Sequence, residues 1–282
     1  MAAVADMVRD VLPLAEIVYV SDERSSAYAW PQSCDVIRMT NEALASAGLF
    51  HERENVGWVC GDYAYALLLE RQWDFAWLIE PDVALVGTAA ELVRQADAGD
   101  ADLIGTRIGV RPAEWNWPWR DRWLHLRPTQ DDVQGLFFPL TRLSRSLASA
   151  VLQTRQEMTE PLKMDESARV PNDEVVVATV AYYGGYQTLD LKQLSPELFD
   201  MWNWVVRYPR EGLDRSALAG AFVHPSLDDA GYEKFVRAEA HAAITGARPA
   251  SERLVPSMRP LQQGYRARAA AWWSEELLRM TQ

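Results

Sequence analysis

The alternation of apolar and polar positions divides the first hundred residues into strands and helices. Residues 16–22 form an apolar run that breaks into polar sequence at Ser21-Asp22, which predicts a first buried strand. Over 35–47, Val36, Met39, Ala43, Leu44 and Ala47 recur at helical spacing, and Gly48 is the stop. Residues 57–60 predict a short strand. Gly61-Asp62 opens a helix carrying Tyr65, Leu68 and Leu69, with Asp62 as its expected N-cap. An apolar run then leads through Trp73, Phe75, Trp77 and Ile79, as expected of a strand buried on both faces of a sheet. It ends in Glu80-Pro81-Asp82, where the proline stops regular pairing and extended alternation turns both acids to one side. Thr88 and Glu91 have capping-box spacing for a helix over 89–98, and 102–106 begins another strand. This order predicts an α/β fold with a mostly parallel central sheet flanked by helices.

After Gly109 the periodicity is lost. Trp115, Trp117, Trp119 and Trp123 are interleaved with Glu114, Asn116, Arg120 and Asp121, a texture that predicts a structured loop. Residues 135–140 predict a short strand leading to Arg142, and Ser144 caps a helix to about residue 156. The polar stretch 157–171 predicts a mobile surface segment. Asn172 caps a helix that begins with Asp173 and Glu174 and stops at Gly184-Gly185. Strands are expected over 186–191 and 221–225, the second with His224 near its end. Amphipathic segments at 232–244 and 263–280, joined by a proline-containing linker, predict a helical C-terminal extension. The expected division is therefore a domain over 1–228 and an extension over 229–282.

Composition narrows the partners. With 282 residues, 49% of them hydrophobic, the chain can bury a sizeable core. A formal net charge of −12 argues against nucleic acid and anionic membranes. No signal-peptide core or membrane-length apolar run is found, so no membrane insertion is expected. Cys34 and Cys60 have neither disulfide-framework nor metal-ligand spacing. They read as reduced core residues of a cytoplasmic protein.

Several residues are candidates for chemistry, each with a plainer alternative. Glu80 and Asp82 are oxygen donors of the kind that hold a hard divalent cation and, through it, a substrate phosphate. Equally, Asp82 caps a turn. His224 is a borderline ligand that suits Mn²⁺ better than Mg²⁺, or a hydrogen-bonded loop residue. Asp173 and Glu174 sit where the helix dipole favours acids in any protein, and where one of them can take a proton from an attacking hydroxyl. The tryptophans either close a core or offer aromatic faces to a sugar. Asp22, ending the first strand, stands where a nucleobase or ribose contact is expected, whereas Asp102, starting its strand, is structural. Arg142 and Arg145 either face a diphosphate or are solvated residues of a helix start.

Taken in order, Gly61-Asp62-Tyr63, the run from Trp77 through Glu80-Pro81-Asp82 to Val83, Asn172-Asp173-Glu174 and His224-Pro225 resemble the GT-A-fold glycosyltransferases. These are nucleotide-sugar-dependent enzymes with a Rossmann-like first half, and the resemblance covers residues 15 to 228. It implies that Glu80-Pro81-Asp82 is the metal- and diphosphate-binding motif, with glutamate where the first aspartate is more usual. It implies further that His224 completes the metal shell, and that Asp173, or its neighbour Glu174, is the catalytic base if the reaction inverts. Asp22, Asp62, Glu80 and Asp82 would bind the nucleotide-sugar donor, and Trp115, Trp117 and Trp119 a saccharide or other hydroxyl acceptor. The implied activity is sugar transfer dependent on Mn²⁺ or Mg²⁺. Two alternatives stay open. A nucleotidyltransferase of similar fold needs a glycine-rich basic loop after the first strand, and residues 21–26 contain no glycine. A non-catalytic GT-A-like scaffold would bind carbohydrate or a partner through the tryptophan stretch.

Overall fold

A computed structural model describes residues 2–52, 56–247, 249–250 and 252–281. In chain order its first elements are α1 (Ala2–Val11), β1 (Tyr19–Asp22), β2 (Val36–Met39), α2 (Asn41–Ser46), α3 (Val56–Val59), α4 (Tyr63–Leu68) and β3 (Phe75–Ile79). Next come β4 (Ala84–Gly87), α5 (Thr88–Asp97), β5 (Leu103–Val110), α6 (Pro118–Leu126), β6 (Gln134–Ser144), α7 (Arg145–Met164), α8 (Asp173–Tyr183), β7 (Thr188–Asp190) and α9 (Leu191–Leu194). The last are β8 (Tyr208–Pro209), β9 (Gly220–Val223), β10 (Ser226–Leu227), α10 (Asp229–Ile244), α11 (Leu254–Met258) and α12 (Gln263–Thr281). The chain forms two compact units. One comprises Leu14–Ile79 and Gly99–Leu191, the other Met1–Pro13, Glu80–Ala98 and Lys192–Gln282. The boundary expected at residue 228 falls inside the second unit and separates neither.

The first unit is α/β, built on a four-stranded sheet of order β3-β6-β5-β7. The mostly parallel sheet is not found: β6 runs antiparallel to both β3 and β5, and only β5 and β7 are parallel. A parallel β3–β5 neighbourhood would need a crossover helix on this sheet. The helix between them in sequence, α5, belongs to the other unit, and β6 occupies the place between the strands. β6 is buried along its whole length. β3, expected in the middle, is an edge strand of mostly half-buried residues. There the Tyr65 hydroxyl accepts from the Leu78 amide (3.1 Å) and donates to the Thr141 carbonyl (2.8 Å). Leu103, Leu136, Leu143, Leu147, Val175 and Val176 form part of one buried core in this unit.

Local predictions in this unit divide by mechanism. Asn172 and Ser144 cap α8 and α7 as expected, accepting from the amides of Val175 and Leu147. The helix expected over 35–47 is instead strand β2 followed by α2, which starts at a Thr40 cap; β-branched Val36 and Ile37 favour the extended form. Of the residues expected as a strand over 57–60, 57–59 belong to the helical turn α3 (Val56–Val59). The segment 157–171 is not a surface loop at its start, because α7 runs to Met164 and buries Met158 and Leu162. Val151, Arg155, Met158 and Leu162 make one helical face. Its period is hidden in the sequence by the charge at Arg155 and by Pro161 inside the helix. The tryptophan stretch holds a 3-10 turn (Ala113–Trp115) and α6, not only loop.

In the second unit β4 pairs antiparallel with β9, β8 pairs parallel with β10, and α1 packs on β4 and α5. The capping box expected at Thr88 and Glu91 does not form. Gly87 is the N-cap with φ of 53°, and a Cβ there would meet the Ala219 carbonyl oxygen at 2.2 Å. Glu91 pairs with Arg94 instead. The expected C-terminal helices are present as α10 and α12, which pack together around Tyr232, Phe235, Val236, Tyr265 and Ala269. Arg248 and Ser251 of the expected linker lie outside the described residues. Among the described residues no helix is long and apolar enough to cross a membrane.

Candidate metal centre

The site grows from a tight turn. The Val83 amide donates to the Glu80 carbonyl (3.1 Å), closing a four-residue turn with Pro81 in the second position, where its fixed φ is favourable. This turn, and not the alternation of a continuing strand, sets the Glu80 and Asp82 carboxylates together. The chain then enters β4, and the register Ala84↔Val223 carries His224, the next residue after β9, to the same end of the pair. One ligand atom each from Glu80, Asp82 and His224 lies within 4.8 Å of the others. His224 Nε2 is 3.5 Å from Asp82 Oδ1 and 3.7 Å from Glu80 Oε2.

The histidine is held for ligation. It is buried, and its Nδ1 lies 2.7 Å from the Asn203 carbonyl oxygen. A carbonyl only accepts, so Nδ1 carries a proton, which leaves Nε2 as the nitrogen that faces the acids and that a neutral ring would offer to a metal. Metal-binding histidines are oriented by outer hydrogen bonds of this kind. The backbone at 201–203 grips His224 on both sides, through its amide to the Met201 carbonyl and its carbonyl to the Asn203 amide, each 3.1 Å. The buried Trp202 ring sits with its centroid 5.4 Å from the imidazole. The His224–Pro225 peptide is cis.

The turn is braced as well. The Ser226 amide donates to the Asp82 carbonyl at 2.6 Å. Arg210 Nη2 donates to the carbonyl oxygens of Pro81 (2.5 Å) and Ser226 (3.2 Å). Burial pushes the Asp82 carboxyl above its ordinary range; neighbouring His224 opposes that rise and Glu80 adds to it. Two acids crowded beside an imidazole that offers a lone pair are a donor set a divalent cation satisfies. Two oxygens and one nitrogen fit the chemistry of a small divalent ion, and this group can hold one.

The other residues singled out in the sequence belong to the first unit. Asp22 ends β1, but Arg24 grips it through Nε and Nη2 at 2.8 and 2.7 Å, and that bond holds its carboxyl below the usual range. Asp62 is fully buried and makes no cap bond to its helix. Its two oxygens accept from Arg155 Nε and Nη2, each at 2.7 Å, so its carboxylate is turned into the interior. Asp173 and Glu174 are buried. Asp173 accepts from the amides of Gly61 and Glu174, both at 2.8 Å, and Glu174 accepts from the Asn172 side chain at 3.1 Å. Trp123 is core, its indole donating to the Gln130 carbonyl at 3.2 Å. Trp117 and Trp119 are half-buried against the same core, and Trp115 is exposed. Arg111 lies against Trp115 and Trp117, and Arg122 against Trp119. Neither expectation for Arg142 and Arg145 holds. Arg142 donates to the Gly99 and Ala101 carbonyls, Arg145 to those of Arg71 and Leu69, so both brace loops. Asp102 is structural as expected, accepting from the Gln187 amide at 3.1 Å.

Sequence reasoning missed Asn203, Arg210 and Ser226, which orient the ligands. Two of them act on the site through backbone carbonyls or amides, which leave no side-chain signature. Only Asn203 carries a local sign: its side chain accepts from the amides of Val205 and Val206, a turn habit of asparagine. Compared with protein-family models, curated proteins and solved structures, the chain matches none.

Proposed function

We propose that the protein is a divalent-metal-dependent glycosyltransferase, moving a sugar from a nucleotide-sugar donor to a hydroxyl acceptor. The observation that carries this reading is the convergence of Glu80, Asp82 and a His224 ring oriented by its Nδ1 hydrogen bond on one point. When bound, a cation there supplies Lewis-acid stabilisation of a departing diphosphate. Asp82 and His224 hold the ion, with Mn²⁺ preferred over Mg²⁺ because of the nitrogen donor, and Glu80 shares it or reaches a ribose hydroxyl.

One observation favours a second reading, a metal-dependent binding module without transfer activity. Asp173, the first choice for a base, is buried and gives both oxygens to backbone amides. In the transferase reading Glu174 is then the acid left to accept a proton. A thermal-shift screen of nucleoside diphosphates with and without Mn²⁺ tests the proposal, since a ligand that binds only the folded state raises its apparent stability. The transferase reading expects a rise that needs both components. A rise with Mn²⁺ alone and none from any nucleotide would leave the binding module.

A further inference from the structure

A cavity of about 340 Å³ opens beside the metal turn, between residues 210–216 and Gln262. It lies in the same unit as the triad, and one of its lining residues, Arg210, hydrogen-bonds the turn that carries Glu80 and Asp82. Arg210 lines the cavity while its Nη2 and Nε are spent on Pro81 and Ser226, the two residues that flank Asp82 in space. The Arg210 charge also reaches the Asp82 carboxyl, which it draws downward. Anything that engages the free edge of this guanidinium therefore acts on the turn that carries Glu80 and Asp82.

The lining says what kind of ligand fits. Two arginines, Arg210 and Arg215, face two acids, Glu211 and Asp214, so the formal charge of the lining is zero. A simple anion would meet the acids, and a simple cation the arginines. Asp214 is already spent, accepting from the amides of Ser216 and Ala217 and from the Ser216 hydroxyl. The side chains of Glu211 and Arg215 have no hydrogen-bond or ion-pair partner among the described residues. Both line the cavity as exposed side chains, one an acceptor and one a donor, beside the Gln262 amide, which also donates to the Leu213 carbonyl. The volume is at the low end of the range that small ligands occupy, about 300–1,000 Å³. A compact, uncharged ring bearing hydroxyls on several sides, each both donor and acceptor, satisfies this set.

We infer that the cavity is a second ligand site for a single neutral sugar ring, coupled to the metal turn through Arg210. The choice of a sugar deepens the transferase reading and rests on it. The test is a titration of the full chain with the methyl glycosides of glucose, galactose and mannose, by saturation-transfer NMR and calorimetry. Glycine and inorganic phosphate serve as charged comparators, and Mn²⁺ binding is measured in parallel. At least one methyl hexoside is expected to bind in preference to either comparator. Glu211→Gln and Arg215→Ala should each weaken it about tenfold or more, ~1.4 kcal/mol, and leave Mn²⁺ affinity unchanged. Arg210→Gln should weaken both ligands. No hexoside binding, stronger binding of glycine or phosphate, or hexoside affinity indifferent to both lining substitutions overturns the inference. Hexoside binding that obeys the lining substitutions in a protein with no Mn²⁺ affinity would remove the metal reading and leave the cavity assignment standing.

Discussion

Asp82 is held in a state that costs stability. Its carboxyl is shifted upward by burial, with Glu80 adding to the rise. A carboxyl whose folded pKa is raised stabilises the fold fully below its unfolded value of about 3.9, and that contribution is lost as pH rises through the folded pKa. At neutral pH the ionised group therefore opposes folding until a cation offsets it. Asp82→Asn is expected to raise the melting temperature of metal-free protein at pH 7 and to abolish the further rise on adding Mn²⁺. A metal-free variant less stable than the parent would contradict this account of the site. Cys60 shows the same physics with a different consequence. It is buried, and burial pushes its thiol up to about 12, whereas Cys34 is only half-buried. A chromogenic disulfide reagent at pH 8 should titrate Cys34 alone in native protein and both thiols after unfolding.

Among the elements, α7 and α4 are tied by a charge pair that no periodicity rule anticipates. Arg155 and Asp62 are both fully buried and meet in a bidentate fork, with Arg155 Nη1 also reaching the Pro171 carbonyl at 2.8 Å. Removing one partner of such a pair typically costs about 3–5 kcal/mol, because the other charge is left buried and unpaired. Asp62→Asn should lose stability on that scale in chemical denaturation, and a loss below ~1 kcal/mol would mean the pair is solvated in solution. This pair also shows where the sequence was legible and where it was not. Caps that work through a side chain and its own first turn, Ser144 and Asn172, were readable because the interaction is local. The extent of α7 was not, because a core-facing arginine looks like a polar position until its distant partner is known. Strand order was hidden for a related reason. Within residues 73–79 the strand is found over 75–79, but being central or at an edge depends on where β6 pairs, far along the chain. Glu80, Asp82 and His224 could be nominated from residue type and order. The turn that joins the two acids and the Asn203 carbonyl that fixes the imidazole are backbone features, and these emerge only in three dimensions.

For the whole molecule, the central point is that an acidic chain of net charge −12 gathers two carboxylates and a histidine into one partly buried donor set. The general negative field raises the local concentration of cations, so affinity for a divalent ion should fall with ionic strength even though the ligands are unchanged. Specificity must come from the three residues themselves. Electron paramagnetic resonance of Mn²⁺ measures this directly, since the sharp signal of the free aqueous ion is lost on binding. Titrating the full chain with Mn²⁺ at neutral pH should show one tight site per chain, displaced only by excess Mg²⁺. That site should be abolished in Asp82→Asn and strongly weakened in His224→Gln. Retention of the same site in both variants would place the ion elsewhere and contradict the account.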